Sequence, residues 1–216
     1  MSAILALLLL VSQAQETPSI LEREPAGWTD LLADAGKELK GWTRGPIPPG
    51  GKLNERSQWS LDPQTGTLLC DGTGGHEWLR YDKELGDFIY HIEWRFAPAE
   101  KKTGYNSGIY VRNSADAKVW HQIQTGSGSG GFLFGQTLDD GKLTSFNLSK
   151  QVHGHHVKPA GEWNVFEITC KGRDVTVWAN GTITNTWNDC PVPSGFLGVE
   201  AEGYRIEFRT LKIKPL

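Results

Sequence analysis

The stretch Phe88-Ile89-Tyr90-His91-Ile92-Glu93-Trp94-Arg95-Phe96 decides the fold. Phe88, Tyr90, Ile92, Trp94 and Phe96 fall on one side of an extended chain; His91, Glu93 and Arg95 fall on the other. Successive side chains of a strand point to opposite faces, so the aromatic set belongs to a core and the polar set is exposed or lines a groove. The same alternation recurs at residues 108–112, with Ile109 and Val111 inward and Tyr110 and Arg112 outward. Residues 120–124, 165–170, 175–179, 182–187, 196–200 and 206–213 read as further strands. Asn180-Gly181 supplies a tight turn, because both residues tolerate positive φ. Helix signals are scarce; residues 28–32 read as a turn or a short helix. Residues 126–131 and 139–149 read as long loops. Many strands with turn residues between them predict an all-β, antiparallel β-sandwich of the jelly-roll type.

Composition sets the outer limits. The chain has 216 residues, 38% of them hydrophobic, which supports one core and excludes a disordered chain. A net charge of −3 lacks the basic footprint of a nucleic-acid partner. No apolar run reaches the roughly 20 residues of a membrane span. Residues 4–11 are apolar and are followed by Ser12-Gln13-Ala14, a small-x-small pattern. Residues 1–14 therefore read as a secretory signal peptide, although no Lys or Arg precedes the apolar run. The mature protein is then expected to be exported, to the periplasm or beyond.

Three cysteines, Cys70, Cys170 and Cys190, leave one thiol over if two pair. Cys170 with Cys190 is the more plausible bridge; the alternative is three small buried apolar residues. Asn147-Leu148-Ser149 and Asn180-Gly181-Thr182 match the glycosylation sequon. Gly126-Ser127-Gly128-Ser129-Gly130-Gly131 lacks the following helix and Lys of a phosphate loop and reads as a plain loop. His153-Gly154-His155-His156 offers imidazoles, but no carboxylate sits in the run, so a solvated loop is preferred to a metal site. Trp120 shares a strand face with Gln122 and Gln124, an aromatic surface beside amides that suits a sugar ring or is an ordinary solvent face. Glu93, Glu167, Glu200, Glu202 and Glu207 fall on outward faces, and paired carboxylates are common apparatus at glycosidic bonds. Glu200 and Glu202 lie two strand rises apart, roughly 7 Å, on one face.

Six further runs occur in order across residues 26–216. They are Gly27-Trp28-Thr29-Asp30-Leu31-Leu32 with Leu39-Lys40-Gly41-Trp42; Gly86-Asp87-Phe88 leading to Glu93-Trp94-Arg95; Asn106-Ser107-Gly108-Ile109-Tyr110-Val111-Arg112; Lys158-Pro159-Ala160-Gly161-Glu162-Trp163-Asn164; Val177-Trp178-Ala179-Asn180-Gly181; and Glu202-Gly203 before Ile206-Glu207-Phe208-Arg209. Together they resemble the 3-keto-disaccharide hydrolase domain family, also described as 3-keto-glucoside lyase and 3-keto-2-hydroxy-glucal hydratase.

The resemblance implies a concanavalin-like sandwich whose concave sheet face binds carbohydrate. It also implies cleavage of glycosides already oxidised at C3. A C3 ketone acidifies the C2 proton; a base removes it, the C1 substituent leaves by elimination, and water adds back, for net hydrolysis. The partner is then a 3-keto-glucoside or disaccharide. Site residues implied are Glu93, Arg112, Glu200 and Glu202 for catalysis, with Arg112 and Arg95 on the enolate. Asn106, Gln122 and Gln124 would take hydroxyls and Trp120 would stack on the ring. A divalent metal ion chelated by the keto and hydroxyl oxygens is compatible with that chemistry, with no ligand set readable.

Two positions depart from the family pattern. The usual Glu-x-Gln is here Gln122-Ile123-Gln124, and the usual Gln-x-Glu-Gly is here Glu200-Ala201-Glu202-Gly203. Either the base has moved across the groove to Glu200, or activity is altered, leaving a non-catalytic carbohydrate-binding module as the alternative. For Glu93, Arg95 and Arg112 the alternative is a ladder of surface ion pairs.

Overall fold

The computed structural model describes residues 16–100, 104–126 and 130–216; the apolar run read as a signal peptide lies outside them. The chain forms β1 (Thr29–Asp30), β2 (Trp42–Pro46), β3 (Trp59–Asp62), β4 (Thr67–Cys70), β5 (Glu77–Tyr81), β6 (Phe88–Phe96), β7 (Gly108–Asn113), β8 (Trp120–Gln124), β9 (Leu133–Asp139), β10 (Lys142–Asn147), β11 (Asn164–Lys171), β12 (Asp174–Ala179), β13 (Thr182–Trp187), β14 (Phe196–Ala201) and β15 (Ile206–Pro215). One sheet runs β13-β12-β11-β6-β15-β4-β3, with β1 also beside β15. The other runs β10-β9-β8-β7-β14-β5-β2. Every pairing is antiparallel. The result is the expected all-β sandwich.

The core lies between the sheets. Phe88, Tyr90, Ile92, Trp94 and Phe96 of β6 are all buried there, as their alternation requires. Ile109 and Val111 of β7, Ile123 of β8 and Leu197, Val199 and Ala201 of β14 face them from the second sheet. The three cysteines are buried and unbridged, so the disulfide alternative does not hold. Burial pushes the Cys70 and Cys170 thiols up to about 12, which makes them packing groups.

Residues 139–149 are not a loop. Lys142–Asn147 pairs with β9 as an edge hairpin across Asp140-Gly141, both at positive φ. Most of its side chains are exposed on both faces, which erases the alternation that marks a half-buried strand. Asn180-Gly181 also turns with both residues at positive φ, as the sequence predicts. Residues 28–32 hold the short β1, not a helix.

The N-terminal segment straps the outer face of the first sheet. Ser19 caps the single helical turn α1 (Ile20–Arg23) through a reciprocal bond pair with Glu22. The buried Glu167 carboxylate accepts the backbone N–H groups of Ile20 and Leu21 at 2.6 and 3.0 Å and His91 Nδ1 at 2.8 Å. Strap and sheet are thus joined at a charged, fully hydrogen-bonded point.

Candidate active site

Four adjacent strands, β8, β7, β14 and β5, build a polar floor on the face of the second sheet turned away from the core. Strand alternation presents Gln122 and Gln124 of β8, Tyr110 of β7 and Glu200 of β14 on that face, with Glu202 just beyond β14 and His76 just before β5. They line a cavity of about 460 Å³, within the range of about 300–1,000 Å³ typical of small-molecule sites.

Glu200 is the hub. Its carboxylate is 2% exposed and accepts three hydrogen bonds. His76 Nε2 and the Tyr110 hydroxyl donate to Oε1, each at 2.7 Å, and Gln122 Nε2 donates to Oε2 at 2.8 Å. The Ser107 hydroxyl ties the backbone carbonyl of Glu200 at 2.8 Å. Gly108 makes the Gln122 bond possible: a Cβ there would sit 2.3 Å from Gln122 Nε2. Without that side chain, Gln122 lies flat across β7 and reaches β14.

A string of amides joins the two carboxylates. Gln122 Nε2 also donates to Gln124 Oε1 at 3.3 Å; Gln124 Nε2 donates to Asn106 Oδ1, and Asn106 Nδ2 donates to Glu202 Oε2. A carboxylate only accepts, so the charges at both ends fix the orientation of every amide between them. Gln124 and Asn106 each retain a second N–H for a ligand.

The electrostatics differ along this string. Burial, with the charge of Glu200 beside it, raises the Glu202 carboxyl above its ordinary 4.5. The hydrogen bond to Glu200 raises the half-exposed His76 above its ordinary 6.5 despite some desolvation. Burial beside Glu200 drives the Tyr110 phenol well above 10, so it stays a donor. One donor atom each from His76, Glu200 and Glu202 lies within 4.8 Å of the others. Two carboxylates and an imidazole are a donor set that fits a divalent transition metal.

The structure brings Asn106, Trp120, Gln122, Gln124, Glu200 and Glu202 to this cavity. It places Glu93, Arg95 and Arg112 elsewhere. Glu93 and Arg95 lie on the outer face of the first sheet, paired with Arg209 and Glu207 at 2.7 Å each. Both arginines stack on Trp163, with Arg95 4.5 Å and Arg209 3.9 Å from its ring centroid. This is the surface ladder.

Strict alternation would aim Arg112 at the cavity, but a bulge intervenes. Phe196 opposes Asn113 and Gly198 opposes Tyr110, so Leu197 alone faces Val111 and Arg112. Arg112 adopts a left-handed φ of 52° and turns inward, 0% exposed. It donates to the carbonyls of Gly172, Val192 and Gly86 and to Asp87, clamping loops of the first sheet. Asn113 takes the cavity position instead.

Sequence reading missed His76, Tyr110 and Asn113. Tyr110 was legible as outward-facing. His76 sits in a Gly-Gly-His turn with no local signature, and only the pairing of β5 with β14 brings it to Glu200. Among the described residues, His76, Glu200 and Glu202 form the one candidate metal cluster; the run His153-Gly154-His155-His156 forms none. His121 faces inward, packed on Phe146 and Trp187, with burial lowering it to about 4. A larger hollow of about 900 Å³ borders the N-terminal strap, but its His91 and Glu93 are already bound to Glu167 and Arg209.

Residues 27–214 match the sequence model of the 3-keto-alpha-glucoside-1,2-lyase-like domain. No curated protein matches the chain. Among solved structures, a candidate glycosyl hydrolase of Parabacteroides distasonis is similar at 18% identity and TM-score 0.60, over 94% of this chain and 100% of that one. A beta-glucanase of Bacillus licheniformis is similar at 11% identity and TM-score 0.52, over 88% and 98%. The carbohydrate-binding module CBM66 of Bacillus subtilis is similar at 12% and 0.54, over 80% and 94%. At these identities the likeness is one of fold, the concanavalin-like sandwich.

Proposed function

The chain belongs to the 3-keto-alpha-glucoside-1,2-lyase-like domain family, and from that premise we propose that it is a carbohydrate-active enzyme that cleaves 3-keto-glycosides by elimination and hydration. The observation that carries this reading is the pair Glu200 and Glu202. Both come from one stretch of chain, with acceptor oxygens within 4.8 Å. A direct glycosidase instead flanks the scissile bond with its two carboxyls. Carboxylates gathered on one side suit proton removal at a single carbon.

Glu202 is the base. Its raised carboxyl is a stronger base than an ordinary one, and Asn106 orients it. It takes the C2 proton; that electron pair forms the C1–C2 double bond as the C1–O bond breaks. His76, whose hydrogen bond to Glu200 favours its protonated form, gives a proton to the departing oxygen. Water then adds to C1, its released proton restoring His76, and Glu202, its proton exchanged with solvent, delivers a proton to C2, so the sum is hydrolysis. Gln124 and Asn106 direct their second N–H groups to the sugar oxygens. A divalent cation, if bound, would be held by Glu200, Glu202 and a neutral His76, and would then supply positive charge for the enolate oxygen in place of the His76 proton.

Domain limits of 26–216, resting on the order of the six sequence runs, and export after cleavage of residues 1–14, resting on the N-terminal sequence pattern, are part of the same proposal.

The test compares a 3-keto-glucoside with its unoxidised parent, following release of the leaving group. Turnover of the keto-sugar alone is expected. Binding without turnover of either would move the chain to the carbohydrate-binding modules.

A further inference from the structure

His76 stands on a stretch of chain that cannot hold it still by itself. The crossover from β4 to β5 reads Asp71-Gly72-Thr73-Gly74-Gly75-His76, rich in glycine. Gly72 and Gly75 both take a left-handed φ, 75° and 90°. Glycine loses more backbone freedom on folding than any other residue, so such a loop, left unbraced, would spread the imidazole over many positions. His76 Nε2 nevertheless lies 2.7 Å from Glu200 Oε1.

The brace comes from the edge of the first sheet. Gln58 lies just before β3 and is 3% exposed. Its Oε1 accepts the Gly74 N–H at 3.0 Å, and its Nε2 donates to the Gly75 carbonyl at 3.0 Å. Its backbone carbonyl accepts the Asp71 N–H at 2.9 Å. The next residue, Trp59, donates from Nε1 to the buried Glu77 at 2.8 Å, and Arg44 of β2 grips the same carboxylate at 2.7 Å. Consecutive residues of one sheet therefore hold the chain on both sides of His76. The contact is close: a Cβ on Gly74 would lie 2.8 Å from Gln58 Cδ. The loop also rests on the turn that follows Glu202, where a Cβ on Gly72 would lie 2.5 Å from the Tyr204 carbonyl carbon.

We propose that Gln58 is a positioning residue that acts through the Gly74-Gly75 backbone to seat His76 for proton delivery to the departing oxygen. The assignment rests on the elimination reading of the site. Gln58 itself lies outside the cavity. A carboxamide suits the task because it offers an acceptor and a donor, one for an N–H and one for a C=O. A displacement of about 1 Å in a reacting group is enough to cost about 10²-fold in rate.

The experiment uses two 3-keto-glucosides of the same anomer, one carrying 4-nitrophenol and one carrying methanol. Nitrophenolate leaves as a stable anion without a proton; the methanol oxygen must be protonated as it leaves. Gln58→Met removes both side-chain contacts at similar size. Gly74→Ala pushes Gln58 away from the loop side, at a position with no left-handed φ to strain. Each variant is expected to lower kcat for the methyl glycoside about 100-fold with KM little changed, and to leave kcat for the nitrophenyl glycoside nearly intact. Crystal structures of the variants give the second readout, with His76 Nε2 expected beyond about 3.5 Å from Glu200. If the unmodified chain turns over neither keto-sugar, the elimination reading fails and the structures alone decide the positioning role. Equal losses on both substrates, or His76 still 2.7 Å from Glu200 in both variants, would overturn it.

Discussion

Gln122 Nε2 lies 2.8 Å from Glu200 Oε2, an amide and a carboxylate facing each other over β7. These are the two positions at which the sequence departs from the pattern that its resemblance to the family implies, Glu to Gln on one strand and Gln to Glu on the other. The two departures touch. On that implied pattern, one carboxylate and one amide stay in contact with their strands exchanged.

That exchange is testable by reversal. Glu200→Gln alone should lower kcat/KM by about 10²-fold or more, because His76 and Tyr110 lose their anionic acceptor. Gln122→Glu alone sets two carboxylates in contact and should also impair the enzyme. The double variant restores one of each and is expected to recover most of the loss. Kinetics of the three variants decide it; a double variant as poor as the worse single one would contradict the exchange.

Gly108→Ala probes the same contact from below. The added methyl would lie 2.3 Å from Gln122 Nε2, so Gln122 must leave Glu200. Activity should fall about tenfold or more with a small change in midpoint denaturant concentration, because the backbone there needs no positive φ.

The pH profile follows from the two raised groups. Glu202 must be ionised to act, and its carboxyl is held above 4.5 by burial and by Glu200. His76 must be protonated, and it is held above 6.5 by its bond to Glu200. Thus kcat/KM should be bell-shaped, its acidic limb above 4.5 and its alkaline limb above 6.5. His76→Gln should remove the alkaline limb and lower the plateau.

Arg112 and Glu93 should separate stability from activity. Arg112→Ala strands three backbone carbonyls and is expected to cost about 2–4 kcal/mol in denaturant unfolding. Glu93→Gln breaks one part-buried surface pair and should cost less than about 1 kcal/mol. Neither residue touches the cavity, so folded Glu93→Gln enzyme should retain full kcat. A large loss in that variant would return Glu93 to the catalytic set.

The N-terminal strap carries its own pH signature. Burial raises the Glu167 carboxyl, but hydrogen bonds from His91, Ile20 and Leu21 outweigh it and the net shift is downward. A depressed carboxyl contributes stability that is present above its unfolded value and lost as pH falls through the folded one. The protection of the amides of residues 17–23, their exchange rate relative to the intrinsic rate at each pH, should therefore fall on acidification below 4.5. Glu167→Gln should lower it ~10- to 100-fold at neutral pH, the scale of lost charged hydrogen bonds.

The sandwich was legible because Phe88–Phe96 alternates over nine residues and both faces are chemically distinct. Lys142–Asn147 was not, because an edge strand wetted on both sides carries no period. Within the site, alternation identified Gln122, Gln124, Glu200 and Glu202 as outward-facing. It misplaced Arg112, because one extra residue in a bulge exchanges which side chain faces the cavity. Glu93 and Arg95 were read correctly as outward, but outward on the first sheet is the wrong side of the molecule. No local pattern assigns a strand to a sheet, and only the long-range pairing of β5 with β14 reveals His76.

The central claim is that the C2 proton is removed during cleavage. The direct measurement is the reaction in D₂O, with the released 3-keto-glucose examined at C2 by mass spectrometry and NMR, against the same substrate incubated without enzyme. Elimination through Glu202 predicts deuterium at C2 in step with product formation and above the uncatalysed exchange. Product that keeps its original hydrogen at C2 while the glycosidic bond is cleaved would contradict the account.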